Sequence, residues 1–108
     1  MKKFLKNLLK LNNGFQKKNL KKIGNEKFEK NDYKGAIEEY SKAIKLDYQF
    51  KEAYRNRGMA KHELQDYQGA IEDFSKVIAL DPHNEDALLQ RSFAYKQLSN
   101  LDLNKIKE

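Results

Sequence analysis

The chain repeats itself with a constant offset of 34 residues. An offset of this length is typical of stacked helical hairpins, in which each repeat buries its apolar face only against its neighbours. Such stacks usually serve as surfaces that hold other proteins, so the period argues against an enzyme. The matched pairs are Gly24 with Gly58, Asp32-Tyr33 with Asp66-Tyr67, Gly35-Ala36-Ile37-Glu38 with Gly69-Ala70-Ile71-Glu72, Ser41-Lys42 with Ser75-Lys76, and Leu46-Asp47 with Leu80-Asp81.

Composition narrows the chemistry further. The 108 residues are enough for one modest domain, and no cysteine is present. Disulfides, thiolate metal sites and a cysteine nucleophile are therefore excluded. No apolar run is long enough to predict a transmembrane helix. The start, Met1–Leu5, resembles a signal peptide, but Lys6 and Lys10 interrupt the apolar stretch and no small-residue cleavage site follows. We expect this segment to be retained and the protein to be cytoplasmic.

The net charge of +6 is distributed unevenly. Residues 1–34 contain eleven lysines and three acidic residues, whereas residues 35–108 contain eleven basic and thirteen acidic residues. We rank three interpretations of the basic third: a solvated face that aids solubility, a site for acidic peptide tails, and a contact with nucleic acid or an anionic membrane. Nucleic acid and membrane together rank last. Arginine is scarce and aromatic residues are not interleaved with the lysines, which argues against nucleic acid. The basic amphipathic segment is short and lacks tryptophan, which argues against a membrane.

Apolar residues recur at helical spacing, and turn residues separate the periodic segments. Asp32 and Asp66 precede two such segments as potential helix caps, and Pro82 follows the second. We expect the aromatic residues Tyr33, Tyr40, Tyr67 and Phe74 to belong to the core, and the acidic pairs Glu38-Glu39 and Glu72-Asp73 to lie on solvated helix faces. The pattern predicts helices at about 17–30, 33–46, 51–64, 67–80 and 85–98.

These residues together resemble a known family, the tetratricopeptide repeat (TPR) proteins. That repeat requires an aromatic residue, a glycine, an alanine, a second aromatic residue and a proline in this order. The second repeat has this pattern in Tyr54-x-x-Arg57-Gly58, Tyr67-x-x-Ala70-Ile71-x-x-Phe74-x-x-Val77 and Leu80-Asp81-Pro82. The first repeat matches it with Leu20, Gly24, Tyr33, Ala36, Tyr40, Ala43 and Leu46. It departs at Tyr48, where proline is usual.

The resemblance implies an all-α, right-handed superhelical stack of antiparallel helical hairpins, with two full repeats and a partial third. We assign residues 17–50 to repeat 1, 51–84 to repeat 2, and 85–108 to the partial third repeat or C-terminal capping helix. Residues 1–16 are a basic amphipathic segment, a candidate capping helix, with the apolar residues Phe4, Leu5, Leu8, Leu9 and Leu11. We interpret residues 2–12 as the worn second helix of an earlier repeat, which would cover the apolar surface of 17–30. The second helix of the third hairpin is reduced to Leu101–Ile106.

In this family the first helix of each hairpin lines a concave groove. The resemblance therefore implies a protein-interaction module that binds an extended peptide with carboxylates and bulky side chains, as an adaptor or co-chaperone. Lysine would attract carboxylates, asparagine would bond peptide backbone, and apolar residues would bury side chains. The predicted groove residues are Lys18, Lys21, Lys22, Asn25, Phe28, Arg55, Asn56, Met59, His62, Leu89, Gln90 and Phe93.

Some members of the family hold acidic C-terminal tails of heat-shock chaperones in a carboxylate clamp. The clamp requires a lysine and an asparagine on the first repeat, an asparagine on the second, and a lysine and an arginine on the third. Lys21, Asn25 and Asn56 match the first three positions. Asp86 and Gln90 occupy the other two, so both cations of the third repeat are missing, and we expect Asp86 to repel an acidic ligand. An ordinary groove of different specificity is therefore the preferred interpretation.

The sequence indicates no catalytic or metal chemistry. His62 and His83 are too far apart in the predicted layout to bind one metal ion, and no phosphate-binding glycine loop or nucleophile triad is present. We predict no enzyme activity, no cofactor and no metal. The competing hypothesis is a self-assembly module, in which the unfinished C-terminal hairpin or the segment 1–16 pairs with a second copy to form a homo-oligomer.

Overall fold

Five α-helices make up the computed structural model, which describes residues 2–107 and their side chains outside 9–11 and 104–107. Within this described part no strand occurs, and none of the helices has the length and apolarity needed to cross a bilayer. The expected apolar residues Leu9, Leu11 and Ile106 lie outside the described side chains. The helices are α1 (Lys2–Glu29), α2 (Tyr33–Leu46), α3 (Lys51–Glu63), α4 (Tyr67–Leu80) and α5 (Glu85–Lys107).

Two of the tight turns are built in the same way. Asn31 and Gln65 adopt the left-handed conformation, with φ of 64° and 65°, which ends the preceding helix. The next residue then caps the following helix: the side chain of Asp32 accepts a hydrogen bond from the Gly35 N–H at 3.0 Å, and Asp66 does the same for its own helix. The chain therefore reverses within three residues after α1 and after α3.

The hairpins stack in chain order. Helix α1 packs on α2, α3 on α4, and the hairpins join through α2–α3 and α4–α5 contacts. Tyr40 and Phe74 are fully buried, and small residues such as Ala36 and Ala70 are completely covered beside them. Tyr33 and Tyr67, also expected in the core, are only half-buried at its edge.

The rings of Tyr40 and Phe74 each lie directly against a glycine of the paired helix. A Cβ built at Gly24 would stand 2.6 Å from Tyr40 Cε1, and one built at Gly58 would stand 2.8 Å from Phe74 Cε1. No side chain fits at these distances, and the buried rings have nowhere to move. The two glycines are therefore required by close helix approach and not by backbone conformation.

The prediction that both acidic pairs are solvated is wrong for one member of each pair. Glu39 and Asp73 are buried, and each lies 34 residues from the other. The guanidinium of Arg57 forms two hydrogen bonds to Asp73, at 2.7 and 2.9 Å, and Lys61 lies 3.1 Å from the same carboxylate. The position is buried by the hairpin packing, and the carboxylate is accommodated because long basic side chains bring charge to it.

The N-terminal segment also differs from the prediction. Residues 2–16 do not fold back over residues 17–30, because α1 runs without interruption from Lys2 to Glu29. Gly14 lies inside this helix, and a Cβ built on it would have no atom of a neighbouring group within 4 Å. A single glycine costs a helix about 1 kcal/mol, which is too little to end it without a proline or a left-handed residue.

The third hairpin is likewise a single helix. The sequence predicts a helix at 85–98 with a remnant partner at Leu101–Ile106, but α5 continues to Lys107 without a turn. The sequence Ser99-Asn100 between them contains neither glycine nor proline, so nothing turns the chain. The resulting shape is elongated, with principal extents of 66 × 30 × 19 Å.

We expect glycine-to-alanine substitutions to separate close packing from helix propensity. Gly58→Ala should lower the free energy of unfolding by about 1–3 kcal/mol, because the new methyl group overlaps the Phe74 ring. Gly14→Ala is the matched control and should raise it by about 0.5–1 kcal/mol, since the site is open. Urea unfolding followed by circular dichroism measures both. Equal effects of the two substitutions would contradict the packing argument.

Candidate functional site

A cavity of about 280 Å³ opens between α1, α2 and α3. Amide and apolar groups face each other across it, which suits a peptide segment that carries both backbone hydrogen-bonding groups and a side chain to bury. Five of the twelve predicted groove residues meet at this cavity. Its lining consists of Asn25, Phe28, Glu29, Tyr40, Arg55, Asn56 and Met59.

A chain of hydrogen bonds holds the polar side of the cavity. The Oδ1 atom of Asn25 accepts from the Tyr40 hydroxyl at 2.5 Å and from Asn56 Nδ2 at 3.0 Å. Arg55 Nη1 in turn donates to Asn56 Oδ1 at 3.2 Å. Because Asn25 uses its oxygen inside the protein, its amide NH₂ is the group left to donate to a ligand. The arrangement therefore presents a donor that is oriented before anything binds.

Tyr40 connects this network to the core. Its ring lies on Gly24, one residue before Asn25, and its hydroxyl reaches the Asn25 oxygen. Burial and the nearby negative charge of Glu29 raise the pKa of Tyr40 to about 12. The phenol therefore stays protonated and remains a hydrogen-bond donor at neutral pH.

Asp86, on the third repeat, is already paired with a cation of the second repeat. Arg55 Nε lies 2.5 Å from Asp86 Oδ2, and this hydrogen bond lowers the pKa of the Asp86 carboxyl. Asp86 is thus held as an anion but with a cation beside it, so the expected simple repulsion of an acidic ligand is offset by Arg55. The same pairing occupies Arg55, which the sequence pattern predicts to attract carboxylates.

The predicted lysines lie along α1, before the cavity in the chain. Lys18 and Lys22 are exposed, and Lys21 Nζ lies 5.5 Å from the centroid of the Phe50 ring. Lys17 Nζ lies 4.9 Å from the same ring and 2.5 Å from Asp47. The structure thus places Lys18, Lys21 and Lys22 one to two helical turns from Asn25, beside the cavity and not in its lining.

The remaining predicted residues lie outside the cavity. Leu89 and Phe93 are about half exposed on α5, and Gln90 follows Asp86 by one turn of the same helix. The His62 ring packs edge-on against Tyr67 with centroids 5.1 Å apart, and its buried Nε2 has no hydrogen-bond partner among the described residues. In the same part of the chain no group of three or more His, Asp or Glu side chains could hold a metal ion.

Two lining residues, Glu29 and Tyr40, are absent from the groove that the sequence predicts. Glu29 follows Asn25 by four positions and so lies on the same face of α1, which is a signal that helical spacing carries. The sequence pattern places Tyr40 in the core alone, and its ring is indeed buried there. Its hydroxyl reaches the cavity only because Gly24 lets α2 approach α1, which is a consequence of packing.

The fold and the cavity define a class of protein-interaction modules. A family model described as TPR repeat matches residues 24–65, and one described as tetratricopeptide repeat matches residues 52–84. The chain belongs to the tetratricopeptide repeat family, as the 34-residue period and its glycine and aromatic positions predicted. Comparison with curated protein sequences gave no significant match.

Solved structures of TPR domains superpose on most of the chain. The second TPR domain of Spaghetti (RPAP3), bound to the HSP90 peptide SRMEEVD, is 31% identical with a TM-score of 0.79, covering 86% of this chain and 85% of that one. The TPR domain of Arabidopsis OM64 is 31% identical with a TM-score of 0.78, covering 82% and 73%. The TPR2B domain of yeast Sti1, in complex with pHsp70, is 27% identical with a TM-score of 0.72, covering 82% and 76%.

We expect the buried hydroxyl of Tyr40 to make the stability fall at alkaline pH. A tyrosine in the unfolded chain ionises near pH 10, whereas folding raises the pKa of Tyr40 to about 12. The stabilisation is complete below about pH 10 and is lost as the pH rises toward 12, by about 2 kcal/mol in total. Unfolding followed between pH 8 and 12 measures it. Tyr40→Phe should flatten this decline, whereas Tyr48→Phe, at an exposed position, should not; identical profiles for all three proteins would contradict the assignment.

Proposed function

We propose that the concave surface binds an extended peptide segment of another protein, as an adaptor or co-chaperone does. An apolar side chain of the peptide enters the cavity beside Phe28 and Met59, and the Asn25 amide donates to the peptide backbone. Acidic groups of the peptide lie toward the lysines of α1. The observation that carries this proposal is the pre-ordered Asn25–Asn56 pair facing apolar residues across one cavity.

The comparisons support an acidic peptide as the ligand class. The RPAP3 domain is similar to this chain and is bound to SRMEEVD, and the corresponding human domain is in complex with the HSP70 peptide SGPTIEEVD. This chain retains Lys21, Asn25 and Asn56 of the carboxylate clamp, but has Asp86 and Gln90 in place of the two cations. We infer that α1 binds one carboxylate of the peptide, and that the cavity recognises the rest of the peptide through an apolar side chain.

The mechanism is binding without a chemical step. With Arg55 and Asp86 neutralising each other, the lysines of α1 are the cations near the cavity that a ligand can engage. They are exposed or half-exposed, so their attraction is screened by salt and adds specificity more than affinity. A short groove of this kind binds with a Kd in the micromolar range or weaker, about −8 kcal/mol at most. We place this activity in the cytoplasm and assign the chain no enzymatic role.

An amide NMR titration with the peptide SRMEEVD at physiological salt tests the proposal. The largest shifts should fall on Asn25, Asn56 and the α1 lysines, and Asn25→Ala should abolish them because the oriented donor is lost. A peptide with its glutamates replaced by glutamine and its C-terminus amidated should bind at least about tenfold more weakly. Lys21→Ala should weaken peptide binding, because it removes one of the α1 lysines. Lys34→Ala removes an exposed lysine on α2 and is the matched control that should leave binding unchanged.

A gain-of-function variant sharpens the test. Asp86→Lys combined with Gln90→Arg restores the two missing cations and should tighten SRMEEVD binding about tenfold or more. Asp86 is exposed and Gln90 is partly exposed on α5, so the fold should tolerate the change. If a large excess of peptide causes no chemical-shift changes in either the unsubstituted chain or this variant, the acidic-peptide proposal is wrong. The fold assignment would be unaffected.

The α5 helix favours one alternative, a homo-oligomer. Leu88 and Tyr95 lie 34 residues after Tyr54 and Lys61, on the face that in repeat 2 packs against α4, and both are substantially exposed. A second copy could cover this face. Light scattering should then show a dimer that Leu88→Ser with Tyr95→Ser converts to a monomer, whereas a concentration-independent monomer would exclude this alternative.

A further inference from the structure

The first half of α1 extends beyond the hairpin stack. Residues 2–16, which we call the overhang, belong to the same continuous helix as residues 17–29 and add about 22 Å to its length. Residues of the overhang are exposed wherever they are described, apart from the half-exposed Gly14. Phe4 is 69% exposed and Phe15 is 73% exposed, with Leu5 and Leu8 between them at more than half. Large apolar side chains at such exposure indicate a surface that meets something apolar.

The apolar residues form one stripe on the helix. At about 100° per residue, Phe4, Leu8 and Phe15 fall within about 40° of one another around the helix axis, and Leu5 flanks them. Gly24, which faces the Tyr40 ring of α2, lies about 160–180° from all three. The stripe therefore points away from the hairpin stack, and a flat surface can reach it without colliding with α2.

The charge of the overhang has one sign. Lys2, Lys3 and Lys6 belong to it, and no acidic residue occurs before Glu26. Lys3 and Lys6 lie about 140–160° from Leu8 around the axis, on the polar face of the helix opposite the stripe. A basic helix with a narrow apolar stripe has the pattern of helices that lie in the plane of a membrane interface.

We propose that the overhang docks this protein on an anionic lipid bilayer. Its apolar stripe enters the boundary between headgroups and acyl chains, and its lysines are attracted to the negative headgroups. A nucleic acid would use the lysines but leave the stripe in water. A helix of another protein would offer a surface of defined shape and mixed charge, which the uniform lysines do not match. The sequence argues against a membrane because the segment is short and lacks tryptophan. In the structure the overhang is the exposed first half of a 28-residue helix and does not cover residues 17–30, so its stripe is free to contact a surface.

The docked geometry leaves the groove open. Asn25 lies about 80° around the axis from Phe15, so the cavity opens to the side when the stripe faces the bilayer. The hairpin stack then projects into solvent. This inference is independent of the peptide-binding proposal, because the overhang contributes no residue to the cavity lining.

Flotation of the full chain with lipid vesicles tests the inference. The protein should float with vesicles of phosphatidylcholine mixed with phosphatidylserine, float poorly with phosphatidylcholine alone, and be released by added salt. Leu8→Ser with Phe15→Ser should lower binding by about tenfold or more. Leu89→Ser with Phe93→Ser removes similarly exposed residues from α5 and is the matched control that should leave binding unchanged.

A second pair of variants isolates the charge. Lys3→Gln with Lys6→Gln should weaken binding to anionic vesicles about tenfold, whereas Lys34→Gln with Lys45→Gln, exposed on α2, should not. Circular dichroism checks that every variant keeps its helices, and the SRMEEVD titration should be unchanged by the serine variant of the overhang. The inference is overturned if no vesicle binding occurs, if the serine variant binds as well as the unsubstituted chain, or if light scattering shows that the stripe instead pairs two copies.

Discussion

The structure depends on the close approach of paired helices at two glycines. Gly24 and Gly58 leave room for Tyr40 and Phe74, and a methyl group at either position would stand closer than 3 Å to the ring. Because these rings are fully buried, their positions decide the angle and distance between the two helices of each hairpin. The second hairpin stacks on the first through contacts between α2 and α3, so an error in the first contact would propagate along the stack.

The same contact creates the candidate site. With α2 drawn against α1, the Tyr40 hydroxyl reaches Asn25, and Asn56 completes the pair from α3. The core and the candidate site are therefore coupled through one side chain that belongs to both. Phe74, at the equivalent position of repeat 2, has no hydroxyl and so cannot donate a hydrogen bond as Tyr40 does to Asn25.

Charged side chains give this member of the family its own character. Buried Asp73 is held by Arg57 and Lys61, so long basic residues replace part of the apolar packing within the second hairpin, between α3 and α4. On the third repeat, Asp86 lies at a position where the carboxylate clamp requires a cation, and it is paired with Arg55. The basic residues are concentrated instead on α1, where they lie both beside the cavity and on the overhang. Positive charge is thus concentrated on one helix and not spread over the whole stack.

The repeat, the family and the helices between residues 33 and 80 follow from the sequence alone, as do five of the seven residues that line the cavity. Periodicity and turn chemistry are local, so they can be read from neighbouring residues. Three further features depend on how the helices pack: Glu39 and Asp73 are buried, Tyr40 supports Asn25, and Arg55 is paired with Asp86. These contacts join residues from 12 to 31 positions apart, across helices whose distance is set by packing. Helices α1 and α5 also continue past their expected ends, because weak breaking signals were outweighed by uninterrupted helical hydrogen bonding.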